Sequence, residues 1–216
     1  MLYSMNKLNR YIITGIIFVI IAGTLSHFVY EWSGKSFILG FFFPVSESAW
    51  EYMKLCFFPM LIYSLYMKKR LKNEYPCIAS ASYLGTLLGA FLIPVIFYTY
   101  SGILGSSFLP LDIATFIVSV ILAFWAVYRL TLSCKINPYS FLLGLLICIM
   151  AICFFLFTYL PPDINLFRDP TKWGVWAEIW YSCLCWTIFI LIQKGGREKI
   201  FCRPKIFQKG LVCDVA

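Results

Sequence analysis

Apolar residues in this chain gather into six long runs, each bounded by charges or turn signals: 11–30, 50–67, 77–98, 111–130, 140–159 and 173–192. A helix needs roughly 20 mostly apolar residues to cross a hydrocarbon layer about 30 Å thick, and these runs are close to that length. The pattern predicts an all-α fold, a polytopic transmembrane bundle of six spans. A seventh apolar stretch, 37–45, covers only nine residues, about 14 Å as a helix, which is too short to cross. It reads as an interfacial or re-entrant segment between the first two spans.

The breaks between runs carry their own chemistry. Tyr75-Pro76, Asn137-Pro138 and Asp169-Pro170 each set a proline where a helix can begin, because a first-turn N–H has no intrahelical partner to lose; Asn137 and Asp169 also suit an N-cap. Pro59 and Pro94 fall inside spans two and three, where each removes a backbone hydrogen bond and is expected to kink its helix.

Composition settles the solvent. Of 216 residues, 61% are hydrophobic and 13% charged, against about 45–50% and about 25% in a soluble domain. No water-facing surface can be built from that balance, so the bilayer is the partner. The 18 Lys and Arg against 10 Asp and Glu, a net +8, do not indicate nucleic acid, which requires a basic face on a soluble fold.

Where those charges lie predicts orientation. Fourteen Lys and Arg fall at the N-terminus, in the second and fourth loops and in the tail, and four fall in the alternate loops. Basic loops resist translocation, so both termini are expected in the cytoplasm and the protein in the cell membrane. The inner side then carries about +11 and the outer about −3. Lys7 and Arg10 ahead of an apolar run ending in Ala22-Gly23-Thr24 imitate a signal peptide, but apolar character continues past Thr24, and the run reads as a retained span. The chain thus divides into a single transmembrane domain, 1–193, and a basic cytoplasmic tail, 194–216, suited to anionic inner-leaflet lipids. In span three, Ala81, Gly85 and Gly89 place small side chains on one helix face, a packing surface for another helix.

The nine cysteines lie mostly inside spans. Their spacings offer neither a disulfide framework nor a C-x-x-C pair, and they read as small packing residues. The ending Cys213-Asp214-Val215-Ala216 is spoiled as a prenylation box by Asp214.

Polar residues at membrane depth are costly, and here they collect on the outer side. His27, the only histidine, precedes Glu31 by four residues; Glu47 and Glu51 are likewise four apart; and Glu178 is the only formal charge in span six. On helices, these spacings put each pair on one face. Tyr30, Trp32, Trp50, Trp173 and Trp176 stand at the same level, as an interfacial aromatic belt or as ring faces for a cationic group. Helix capping competes for the same residues. Ser48 and Glu51 fit a capping box, Val45 and Trp50 a hydrophobic staple, and Asp112 a first-turn acid. One histidine excludes H-E-x-x-H; neither G-x-S-x-G nor a phosphate-binding P-loop is present. No metal or cofactor is assigned.

The stretch Pro44-Val45-Ser46-Glu47-Ser48-Ala49-Trp50-Glu51-Tyr52-Met53-Lys54 resembles the motif P-V-N-E-S-x-W-E-H-x-K of a family of small bacterial, Firmicutes-type multi-span membrane proteins, a domain of unknown function. The resemblance is close over the first 70 residues or so and continues beyond as a pattern of spans. Ser46 replaces an asparagine and Tyr52 a histidine, and losing that nitrogen ligand weakens any metal site built on the motif. The resemblance implies fold and location, and no activity.

The favoured reading is a non-enzymatic membrane protein whose outer-face site, His27, Glu31, Glu47, Glu51 and Glu178 with the aromatic residues around them, binds or transports a cation or cationic small molecule. Six spans without an evident inverted repeat make transport a matter for a homo-oligomer. The alternatives are an intramembrane enzyme at the outer leaflet, with Glu47 or Glu51 as general base, and an accessory subunit without chemistry of its own.

Overall fold

A computed structural model of the chain describes residues 2–169. These belong to the first of two compact units, Met1–Thr171. The second, Lys172–Ala216, contains the expected sixth span and the tail, and lies outside the described residues together with Glu178, Trp173 and Trp176.

Among the described residues there is no strand. Five long helices, α1 (Leu2–Trp32), α3 (Ala49–Leu71), α4 (Ile78–Leu104), α5 (Leu109–Ser133) and α6 (Ser140–Tyr159), are joined by short connections, and the segment 37–45 contributes the single turn α2 (Phe37–Gly40). Asn137–Tyr139 forms a 3-10 turn leading into α6. Four helices are long and apolar enough to cross a membrane: α1, α4, α5 and α6 with its leading turn. Helices of this length and composition are those of a membrane protein.

The expected second span, now α3, is not among the four. It is 23 residues long but carries Glu51, Lys54, Lys68, Lys69 and Arg70. Its neighbours explain the tolerance. Helices α1, α4 and α6 all pack on α3, so its own side chains meet protein more than lipid, and Trp50, Glu51, Met53, Lys54, Cys56, Phe57, Met60 and Met67 are buried. The outer helices show the reverse. Ile13, Ile17, Ile21 and Leu25 form an exposed stripe along α1 and Leu142, Leu145, Ile149 and Ile152 another along α6. Large apolar side chains turned outward in rows suit a hydrocarbon solvent.

Successive long helices run antiparallel. At one end Lys7 pairs with Glu74 and the start of α4 meets the end of α5; at the other, His27 meets Glu47 and Tyr100 meets Asp112. Two apolar clusters follow from this order. Val19, Met60, Phe124 and Val127 fill the space among α1, α3, α4 and α5, while Met53, Phe57, Leu87, Ile147 and Phe154 fill that among α3, α4 and α6.

Close approach is achieved by pairing glycine with proline. Both prolines lie within continuous helices. Pro59 cannot donate to the carbonyl of Leu55, four residues back. Gly23 of α1 comes against that carbonyl: a Cβ added there would sit 2.6 Å from it. Along α4, Ala81 is fully buried, a Cβ at Gly85 would meet Val127 at 2.3 Å, and one at Gly89 would meet Ala123 and Cys56 at 2.9 Å. The small-residue face of span three therefore seats α5 and α3 of the same chain.

One expectation is overturned. Cys77 and Cys134 are not packing residues but a disulfide across 57 residues of sequence, with Cα atoms 5.4 Å apart. They stand immediately before α4 and immediately after α5, positions brought together only by antiparallel packing. Of the other described cysteines, Cys56 is buried and fits the packing reading.

Replacing Gly23 with alanine is expected to lower stability by about 1–3 kcal/mol, because the new methyl meets a backbone carbonyl that has no room to retreat. Gly102, with nothing within 4 Å of its would-be Cβ, should accept alanine at no cost or gain up to about 1 kcal/mol of helix propensity. Thermal unfolding of the two variants in detergent checks the contrast.

Candidate functional site

Burying an ammonium is tolerable only when its N–H donors all find acceptors. Lys54, in the second turn of α3, is 1% exposed, and its three protons are matched by three acceptors. These are Glu51 Oε2 at 2.7 Å, the Gly40 carbonyl at 3.0 Å and Thr158 Oγ1 at 2.5 Å. Each comes from a different place: the same helix, the segment around α2, and the end of α6. Thr158 passes its own proton to the Phe154 carbonyl at 2.6 Å. Glu51 Oε2 also accepts from the Val45 N–H at 3.0 Å. The result is a buried ion pair that clasps the short segment onto α3 and α6.

Local sequence makes the clasp possible. Ser48 is the N-cap of α3 and accepts the Glu51 N–H at 3.3 Å, which is half of the expected capping box. The other half is absent, since the Glu51 carboxylate turns to Val45 and Lys54 instead of to the Ser48 N–H. Gly40 is required by crowding: a Cβ there would lie 2.3 Å from Tyr159 Oη, whose hydroxyl donates to the Phe37 carbonyl at 2.6 Å.

A second polar cluster lies half-exposed at the same end. Glu47 accepts from the Tyr52 hydroxyl, and His27 Nε2 stands 3.8 Å from Glu47 Oε1, an ion-pair distance when the imidazole is protonated but too long for a hydrogen bond. The His27 and Tyr52 rings are 5.8 Å apart. Asp112, in the first turn of α5, accepts from the Tyr100 hydroxyl of α4 and lies within electrostatic reach of Glu47. Four helices thus contribute to one acidic, aromatic corner. Among the described residues, no Lys or Arg pairs with Glu47 or Asp112.

The sequence-predicted residues are therefore divided among three environments. Glu47 lies ahead of α3, which begins at Ala49, so the helical spacing that would put Glu47 and Glu51 on one face does not apply. Both His27 and Glu31 are on α1, yet Glu31 is exposed and pairs with Lys35 at 3.7 Å. Tyr30 is half-buried, with its carbonyl taken by Ser33 Oγ at 2.8 Å. Trp32 is 70% exposed and stacks on Phe28, whereas Trp50 is buried against Phe154 and Phe167, each 4.8 Å away. The two indoles share no cage. Among the described residues no group of three His, Cys, Asp or Glu could hold a metal ion.

Sequence reasoning missed Lys54, Thr158, Tyr52, Tyr100 and Asp112 as members of these clusters. The i,i+3 spacing of Glu51 and Lys54 was a legible signal. Thr158, 104 residues from Lys54, had none.

Removing one partner of the clasp should cost far more than removing both. Lys54→Met leaves the Glu51 carboxylate buried and unpaired and is expected to lower stability by about 3–5 kcal/mol, while Glu51→Leu with Lys54→Met should recover much of that loss. Unfolding of the two single variants and the double variant gives the cycle; strict additivity would contradict a clasp.

Neither a curated protein nor a solved structure matches this chain. A family model does, over residues 1–175, which include every described helix, the clasp and the acidic corner. The chain belongs to that family, the family of unknown function DUF6512.

Proposed function

We propose that this protein is a six-span protein of the cell membrane, with both termini in the cytoplasm, whose outer-face acidic corner binds a cation or cationic small molecule. The observation that carries the reading is the division of the acids. Glu51 is neutralised internally by Lys54, whereas Glu47 and Asp112 face hydroxyls and an imidazole. Carboxylates without a fixed counter-ion, set among His27, Tyr52 and Tyr100, offer charge together with ring faces, the combination that attracts an organic ammonium.

Orientation is supported by the ends of the bundle. Through residue 169, eight Lys and Arg (Lys7, Arg10, Lys68, Lys69, Arg70, Lys72, Arg129 and Lys135) lie at one end with a single acid, Glu74; three lie at the other with six acids. The positive-inside rule assigns the first end to the cytoplasm. The tail, 194–216, continues the basic side and suits anionic lipids. Transport, if coupled to binding, calls for a second copy of the chain. For an enzyme at the outer leaflet, Glu47 is the better general base of the two considered, because Glu51 is held by Lys54.

The test is a thermal-shift series on the protein in lipid nanodiscs with sodium, calcium and tetramethylammonium. One of them should raise the melting temperature saturably, by the equivalent of about 2.7 kcal/mol at a hundredfold excess over Kd. Glu47→Gln and Asp112→Asn should each weaken that cation about tenfold or more, and Glu31→Gln should leave it unchanged. No shift with any of the three, or equal loss with Glu31→Gln, sinks the reading.

A further inference from the structure

The geometry points to Cys77 and Cys134 as a reversible redox pair at the basic end of the bundle, open in the cytosolic thiol pool and closed under oxidising challenge. The inference rests on the proposed orientation, because disulfides persist in oxidising compartments and are reduced in the cytosol.

Three observations meet at this pair. The first is its position on the α4–α5 hairpin. That hairpin is already closed at its other end by the short connection 105–108, where Gly105 takes a φ of 75°. Cys77 is the residue before α4 and Cys134 the residue after α5, so the bridge converts an open hairpin into a covalent ring. Without it the helices still pack through Gly85 and Gly89 against Val127 and Ala123. Opening therefore releases the ends of the hairpin without dismantling it.

The second is the inequality of the two sulfurs. Cys77 is 3% exposed, whereas Cys134 is exposed and ends its helix at a φ of 53°. An incoming thiolate approaches from the side of Cys134, the more exposed residue of the two. It attacks Cys134 Sγ, forms a mixed disulfide there and expels Cys77 as a thiolate; a second thiolate attacks the outer sulfur and releases Cys134. Two small thiols are oxidised to one small disulfide, and the protein disulfide is reduced to two thiols. Closure is the same sequence reversed, with a low-molecular-weight disulfide as the oxidant.

The third is charge. Lys135 directly follows Cys134, and Lys68, Lys69, Arg70, Lys72 and Arg129 share this end. A partly exposed, electropositive setting stabilises the thiolate that exchange requires and distinguishes responsive cysteines from inert buried ones such as Cys56.

The experiment is differential alkylation of the full chain in intact cells, quenched in acid, with peptide mass spectrometry at Cys77 and Cys134. Both are expected open at rest. The bridged-to-open ratio should rise about tenfold or more after a membrane-permeant aromatic disulfide such as dithiodipyridine, and return with dithiothreitol. Cys134→Ser should leave Cys77 unbridged throughout. A pair that stays open under challenge overturns the proposal. So does a pair already bridged at rest, and an impermeant phosphine added outside the cells then separates two failures. If it opens the bridge, the basic end faces out and the orientation falls as well; if it does not, the orientation stands and the redox proposal alone falls.

Discussion

The end of this bundle that carries α2 is organised by one buried ammonium. A lysine buried inside protein must find an acceptor for each proton or lose its charge, and Lys54 meets that demand by drawing on three separate stretches of chain. The Gly40 carbonyl fixes the short segment after α1, Thr158 fixes the end of α6, and Glu51 ties both to the start of α3. A segment too short to cross a membrane is thereby given a definite place, folded over the ends of its neighbours. The same contacts settle the fate of Glu51, which is committed to structure, and so distinguish it from Glu47, which is not.

That arrangement has a counterpart in the middle of the bundle. Helix α3 is the least apolar of the long helices, and it is the one that α1, α4 and α6 surround. Charge is kept where protein supplies partners, and hydrocarbon is left to face the stripes on α1 and α6. Because lipid tails are as apolar as leucine, close backbone packing has to supply the attraction between helices. Gly23 against the carbonyl freed by Pro59, and Gly85 and Gly89 against α5, are where it does so.

The candidate site was legible in part, and the reason differs from residue to residue. Its acidic character and its end of the molecule followed from counting charges around the runs. Its membership did not. Spacing of four residues implies a shared face only within a helix, and Glu47 precedes one. His27 and Glu31 do share a helix, but each has a better partner outside the pair, Glu47 for one and Lys35 for the other. Tyr100 and Asp112 flank the α4–α5 turn, and their link to Glu47 exists only because α5 packs beside α1.

Hydrophobic run length and the placement of Lys and Arg, both one-dimensional properties, were enough to establish by themselves a helical membrane protein with one basic and one acidic end. Glu51 and Lys54, three residues apart on one helix, carry a spacing signal of the same one-dimensional kind, although their pairing was not read from it. Which charges meet across helices was decided only by tertiary structure, and so was the joining of Cys77 to Cys134 across 57 residues. Pairing at that distance depends on helix order, direction and rotation. Those follow from where glycines and small side chains let backbones approach, a three-dimensional condition that no spacing along the chain records.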